Sequence, residues 1–214
     1  VVDSQKSWSE LASSSLLLKA VSSWRKDPES WLEGSFERLP ETVRVNPLRT
    51  DSKWVEEWIT EQGGKPVPWF KGPGTAWEMP FSRGLAEGKA REMLIALHET
   101  GRITRQETVS MIPVLALEVS KGDYVLDMCA SPGSKTTQIS ECLGEGGVVF
   151  ANEISNSRAN TLVSNVHRHG SKSAVIINHD GRHLPNMPNH GFDKVLVDAP
   201  CTGSATTRKN PEVW

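Results

Sequence analysis

The stretch Val125-Leu-Asp-Met-Cys-Ala-Ser-Pro-Gly-Ser-Lys135 decides how this chain is read. Apolar residues run into a turn of small residues, and a helix pattern follows, which predicts a buried strand opening onto a ligand loop. A helix starting at such a turn offers free backbone N–H groups and a partial positive charge. Two phosphate loops are excluded by spacing. Gly133 stands alone, so there is no Gly-x-Gly-x-x-Gly, and Ser134 separates it from Lys135, so there is no mononucleotide-type Gly-Lys. An ordinary strand-to-helix turn remains the alternative until the flanking sequence is read.

Outward from this loop the pattern alternates. Strands are predicted at Tyr124–Met128, Val148–Ala151, Ala174–Ile177 and Lys194–Val197, with helices at Ser134–Leu143 and Asn156–His169. Alternation of this kind builds a parallel α/β sheet with right-handed crossovers, and ligands then bind beyond the carboxyl ends of the strands. The residues at those ends are the Asp127 to Lys135 loop, Asn152-Glu153, Asp180, and Asp198-Ala-Pro-Cys201. A carboxylate after the second strand can accept hydrogen bonds from both ribose hydroxyls, the place assigned to Glu153. Together these ends point to a nucleoside-cofactor site without a pyrophosphate cradle.

Upstream, residues 1–80 read as a small α+β domain. Ser7 and Glu10 have capping-box spacing ahead of a helix that Asp27-Pro28 stops, and a short turn is predicted at Glu29 to Glu33. A strand follows at Thr42–Asn46, then a helix at Asp51–Gln62 whose buried face carries Trp54, Val55, Trp58 and Ile59, then strand-like Val67–Phe70 and Ala76–Met79. Residues 81–120 read as a connector with a lead-in helix at Gln106–Leu117. Arg83, Lys89, Arg91, Arg102 and Arg105 there stand among glycines, which suits either a solvated linker or a segment following a phosphate backbone.

Composition bounds the rest. The 214 residues are 37% hydrophobic, enough for a normal core, and lack an apolar run near the ~18 residues of a membrane span. With no secretory signal pattern, the expected location is intracellular, cytoplasmic or nuclear. A formal charge of -2 gives no global attraction to nucleic acid, so a polyanion site must be a local patch. Cys129, Cys142 and Cys201 are odd in number and lack metal-ligand spacing, so neither a disulfide framework nor a metal site is expected.

At these residues the sequence resembles the S-adenosylmethionine-dependent RNA cytosine-5 methyltransferases of the Sun type, most of all their tRNA-modifying branch. The resemblance rests on Cys129-Ala-Ser-Pro-Gly-Ser-Lys135, on Asp198-Ala-Pro-Cys201-Thr-Gly-Ser with Arg208-Lys-Asn-Pro-Glu-Val-Trp214, and on Glu99-Thr-Gly-Arg-Ile-Thr-Arg-Gln-Glu-Thr-Val-Ser-Met111. Arg44-Val-Asn-Pro-Leu-Arg49 is similar to the family's small RNA-recognition-like domain. The resemblance implies a Rossmann-like class I methyltransferase core from residue 121 to 214, with S-adenosyl-L-methionine as cofactor and RNA, notably tRNA, as partner. It places the methionine part against Cys129, Ala130, Ser131, Pro132, Gly133, Ser134 and Lys135, the ribose on Glu153 braced by Arg158, the adenine near Asp180, and Asp198 beside the reacting base. Arg83, Lys89, Arg91, Arg102 and Arg105 are the expected RNA contacts.

The implied chemistry uses Cys201, Asp198 and Lys135. Cytosine C5 becomes nucleophilic only when a thiolate adds at C6. Negative charge then develops toward N3 and O2, where a carboxyl group and an ammonium stabilise it. In the family a downstream Thr-Cys supplies the attacking thiolate and the Pro-Cys cysteine, here Cys201, assists release. Because that motif and the last strands are absent from these 214 residues, the expectation is a sheet incomplete at its C-terminus, a fragment or one half of a split enzyme completed by a second chain. Two other readings stand beside it: a non-catalytic cofactor- or RNA-binding subunit, and a cytosine methyltransferase on another nucleic acid that attacks through Cys201.

Overall fold

A computed structural model describes residues 16–144, 146–184, 190–201 and 203. The chain divides into two units, residues 1–39 with 200–214, and residues 40–199. In the first unit, α1 (Leu16–Ser22) and α2 (Pro28–Gly34) flank a tight turn. Asp27 caps α2 by accepting the Ser30 N–H at 3.1 Å, and Pro28 occupies a first-turn position where no N–H is needed. The Trp24 and Trp31 rings meet edge to face with centroids 6.4 Å apart. The expected capping box at Ser7 and Glu10 lies outside the described residues.

The second unit holds two sheets. β1 (Pro40–Val45), α3 (Ser52–Glu61), β2 (Lys65–Pro66), β3 (Thr75–Ser82), α4 (Gly88–Glu99) and β4 (Ile103–Arg105) make an antiparallel sheet in the order β2-β3-β1-β4 with two helices. Its core joins Val43, Val45, Val55, Ile59, Met79, Leu94, Leu97 and Ile103. Three sequence expectations change here. Val67–Phe70 is a turn, since Pro66 and Pro68 lack ladder donors; the Phe70 N–H bonds back to the Val67 carbonyl at 3.2 Å. Trp54 is exposed, because the buried stripe of α3 runs through Val55 and Ile59 with Trp58 beside them. Residues 83–105 carry a helix and a strand rather than an open linker: Leu94 and Leu97 bury one face of α4, and Ile103 pairs with Val45 far back in the chain.

The helix expected over 106–117 is split into a 3-10 turn, Thr108–Met111, and α5 (Ile112–Ala116), whose start coincides with Pro113. β5 (Tyr124–Asp127), α6 (Ser134–Leu143), β6 (Val148–Asn152), α7 (Asn156–His169), β7 (Ala174–Ile177) and β8 (Lys194–Leu196) then form the α/β core. Its strands are parallel in the order β7-β6-β5-β8. The chain steps from β5 through β6 to β7, then crosses to the opposite side of β5. That reversal at β5 opens a crevice at its carboxyl end, where ligands of such sheets bind. No helix among the described residues is long and apolar enough to cross a membrane.

The antiparallel sheet is fastened to this core by buried polar groups. Arg44 of β1 is fully buried; its Nε donates to both carboxylate oxygens of Glu141 on α6, at 3.1 and 2.9 Å, and Nη2 donates to Thr137 Oγ1 at 3.0 Å. Nη1 donates to Gln106 Oε1 and to the Ser134 carbonyl, the latter at 3.3 Å. His169 Nε2, at the end of α7, meets Glu141 Oε1 at 2.8 Å. Asn46 Nδ2 donates to the carbonyls of Gly101 and His169, both at 2.8 Å. The network therefore holds α6, which begins where the ligand loop ends.

Candidate active site

Asp127 ends β5 with 1% of its surface exposed. Thr136 Oγ1 donates to its Oδ2 at 2.7 Å, while Oδ1 is buried with no hydrogen-bond partner among the described residues. Burial pushes this carboxyl up to about 6, against the Thr136 hydrogen bond and the Lys135 charge. The loop after it is held by α7. Arg158 donates to the Ser131 carbonyl at 2.9 Å, Ser131 Oγ donates to the Arg158 carbonyl at 2.9 Å, and Asn165 Nδ2 donates to the Pro132 carbonyl at 2.6 Å. Gly133 adopts φ +107, and a Cβ there would stand 3.0 Å from Leu162 Cδ1, so both conformation and space favour glycine. α6 then starts without a side-chain cap, which leaves its first N–H groups for a ligand.

The other strand ends converge on this loop. Asn152, the last residue of β6, donates through Nδ2 to the carbonyls of Met128 and His179 at 3.1 and 3.0 Å, and accepts the His179 N–H at 3.1 Å. One side chain thus ties the ends of three strands. The Ala130 N–H donates to the Asn152 carbonyl at 2.8 Å, and the Met128 N–H to the Leu196 carbonyl at 2.9 Å. Glu153 is 3% exposed; its Oε1 accepts the Ser155 N–H at 2.9 Å and its Oε2 lies 3.5 Å from Arg158. Past β7, Asp180 pairs with Arg182 at 2.6 Å, which with the Arg182 backbone N–H holds its carboxyl well below the usual range. Past β8, Asp198 meets Lys135 Nζ at 2.6 Å, with Asp198 largely exposed and Lys135 mostly covered.

The structure therefore brings together the loop 129–135, Glu153, Arg158 and Asp198, and sets Asp180 in the neighbouring turn. The Cys129 thiol is pushed up by partial burial and then by Asp127, Glu153 and Asp198, which disfavours the thiolate. The Cys142 thiol, half-buried on α6, is pushed up to about 11, first by desolvation and then by Glu141. Cys201 belongs to the first unit and is exposed, with the Gly203 N–H donating to its Sγ at 3.4 Å. The Arg208–Trp214 stretch lies outside the described residues. Of the five expected RNA-binding cations, Arg83 pairs with Glu107 at 3.2 Å, Arg102 with Asp51 at 2.6 Å, and Arg105 with Glu41; Lys89 and Arg91 are exposed on the first turn of α4.

Comparison with known proteins agrees with this fold. The family profile described as 16S rRNA methyltransferase RsmB/F matches residues 114–214. The multisite-specific tRNA:(cytosine-C(5))-methyltransferase of Saccharomyces cerevisiae is 32% identical over 259 residues, an alignment covering 98% of this chain and 36% of the yeast protein. The chain belongs to the RNA cytosine-5 methyltransferase family. A second family member, the ribosomal RNA small subunit methyltransferase F of Vibrio atlanticus, is 37% identical across 87% of this chain and 39% of its own length. A methyltransferase homolog protein of Pyrococcus horikoshii superposes with a TM-score of 0.68 at 28% identity, over 88% of this chain and 60% of that one. The chain thus spans less than two fifths of the two curated relatives.

Sequence reasoning placed Asp127 and Asn152 at strand ends without giving either side chain a role, and it missed the Arg44–Glu141–His169 group altogether. For Asp127 a signal existed, since an acid closing an apolar strand directly before a ligand loop sits at the strand's carboxyl end. For Arg44 none did.

Proposed function

We propose that this protein transfers a methyl group from S-adenosyl-L-methionine to C5 of cytosine in RNA, with tRNA the substrate nearest to the sequence resemblance. The observation that carries the reading is the meeting, at the crevice beside β5, of a buried carboxylate on Glu153 and the Lys135–Asp198 pair. The residues fit the cofactor: Glu153 is held by Ser155 and Arg158 with acceptor capacity to spare for two hydroxyls, α6 opens uncapped, and Asp127 keeps one buried oxygen with no hydrogen-bond partner among the described residues. When bound, S-adenosylmethionine supplies an electrophilic methyl group on a sulfonium.

The chain's own residues then divide the work. Glu153 binds the ribose, and Arg158 orients Glu153 while supporting the Ser131 carbonyl. Asp198 hydrogen-bonds cytosine N3, and Lys135 faces the charge that develops on N3 and O2 once a thiolate has added to C6. The reading gives attack to a thiolate other than Cys201 and gives Cys201 the release step, in which the C5 proton leaves and the C6–S bond breaks. A second chain supplying that thiolate is compatible with these roles. The test is cofactor binding by calorimetry. Two ribose hydrogen bonds to a charged acceptor contribute on the order of 1.5 to 3 kcal/mol each, so Glu153→Ala should weaken binding at least about tenfold. Unchanged affinity would remove the ribose assignment, and failure of labelled methyl to reach cytosine in tRNA, but not in ribosomal RNA or DNA, would remove the tRNA assignment.

A further inference from the structure

A cleft of about 320 Å³ lies between β4, the end of α4, the end of α7 and the turn at Pro132–Ser134. It shares that turn with the candidate active site but includes none of Glu153, Asp180 and Asp198. Its charged walls are all basic: Arg83, Arg105 and Arg168 line it with His98 and His169, and no Asp or Glu does. Arg83 and Arg105 are already paired with carboxylates placed outside the cleft, whereas Arg168 has no acidic partner among the described residues. The Nδ1 atom of His169, which is 3% exposed, is buried with no hydrogen-bond partner among the described residues. Ser134, on the fourth wall, begins the uncapped helix α6.

These groups share one requirement. Arginine forks and imidazole N–H groups are donors, and among the described residues no carboxylate pairs with the Arg168 guanidinium. Burial lowers the His98 titration first and the Arg168 charge lowers it further, with Arg105 adding a smaller push, against a backbone hydrogen bond at Ile103 and the Glu99 charge, so both arginines act on one imidazole. A tetrahedral oxyanion is the ligand that supplies acceptors in several directions at once and reverses that repulsion.

We propose that this cleft seats a backbone phosphate of the RNA substrate, so that the strand passes from the β4 edge of the antiparallel sheet to the loop at Pro132–Ser134. This rests on the RNA methyltransferase reading and adds Arg168, His98 and His169 to the substrate-contacting residues. It also gives the fastening of the two sheets a function, since a phosphate held by both would register the RNA against the loop.

The experiment compares the wild-type protein with Arg168→Gln and Arg168→Lys in RNA binding by fluorescence anisotropy across a salt series, alongside calorimetry with S-adenosylmethionine. Arg168 is partly exposed and offers its backbone carbonyl, not its guanidinium, to Arg49, so the substitution leaves that contact in place. Each phosphate neutralised contributes about 0.7 to 0.9 to the logarithmic salt slope. Arg168→Gln should lower the slope by about that amount and weaken binding severalfold, Arg168→Lys should restore most of the slope, and cofactor affinity should stay at the wild-type value. An unchanged slope in Arg168→Gln overturns the proposal and leaves the methyltransferase reading standing. Loss of cofactor affinity in the same variant also overturns it, by showing a general structural effect. Inorganic phosphate is titrated as competitor. Displacement of RNA only at high concentration supports a backbone phosphate, and displacement at the affinity of RNA itself assigns the cleft to a small free anion instead. Failure of Glu153→Ala to alter cofactor binding tests the separate reading and leaves the salt slope untouched.

Discussion

Replacing Arg44 by Met should destabilise the protein more than any surface substitution, and the structure sets the size. The side chains of Arg44 and Glu141 are both 0% exposed and meet at 2.9 Å. Removing the guanidinium leaves the Glu141 carboxylate buried with only His169 beside it, and strips donors from Gln106 Oε1 and Thr137 Oγ1. Breaking one side of a buried ion pair costs about 3 to 5 kcal/mol, because the surviving charge stays desolvated. The two orphaned acceptors fall within the same disturbed site, so adding their separate penalties would count the desolvation twice. Against a typical total of ~5 to 15 kcal/mol, this is a large share. Urea unfolding at pH 7, followed by circular dichroism, gives the value, and Glu141→Leu with Arg44→Met closes a double-mutant cycle. The double variant removes both charges and should recover most of the loss, to within about 2 kcal/mol of wild type. A loss below ~1 kcal/mol for Arg44→Met at unchanged m-value would refute the view that this pair fastens the sheet to α6.

Two further outcomes concern single backbone and titration features. Asp127 titrates at about 6 in the folded protein against a usual 3.8. Its contribution is therefore fully present below pH ~4 and lost as pH rises through 6, about two units or on the order of 3 kcal/mol. Asp127→Asn cannot ionise, so its stability relative to wild type should rise between pH 4 and pH 7 in parallel urea titrations; a flat difference would contradict the buried carboxyl. Gly101 has φ +68, and a Cβ there would fall 1.9 Å from the Arg168 carbonyl oxygen, whereas Gly84 has φ +80 with open space. Gly101→Ala should lower the thermal midpoint well beyond Gly84→Ala, whose cost is limited to the ~1 kcal/mol of the conformation itself; equal shifts would show that the sheets are free to separate.

The α/β core was legible because its signals are local. The bounds of α6 and α7 followed from apolar spacing between turn residues, and the candidate carboxylates followed from the rule that loops at strand ends carry ligands. Arg158, five residues beyond Glu153, could also be read, since both sit at one helix entrance. The antiparallel sheet was read less well. β4 is three residues long and earns its place by pairing with β1, so nothing within residues 101–106 marks it as a strand.

Arg44 shows the division most clearly. By itself the sequence established a strand with a charge in it, and a charge on a strand is ordinarily a solvated one. Only the tertiary structure brought Glu141, 97 positions along the chain, to that charge, and with it Gln106, Thr137 and His169. The same holds for the basic cleft, whose residues come from α4, β4 and α7 and share no local pattern. Periodicity and turn chemistry act over a few neighbouring residues and so can be read along the chain. The partner of a buried charge is chosen by how separate elements pack, and that is settled only when the chain has folded.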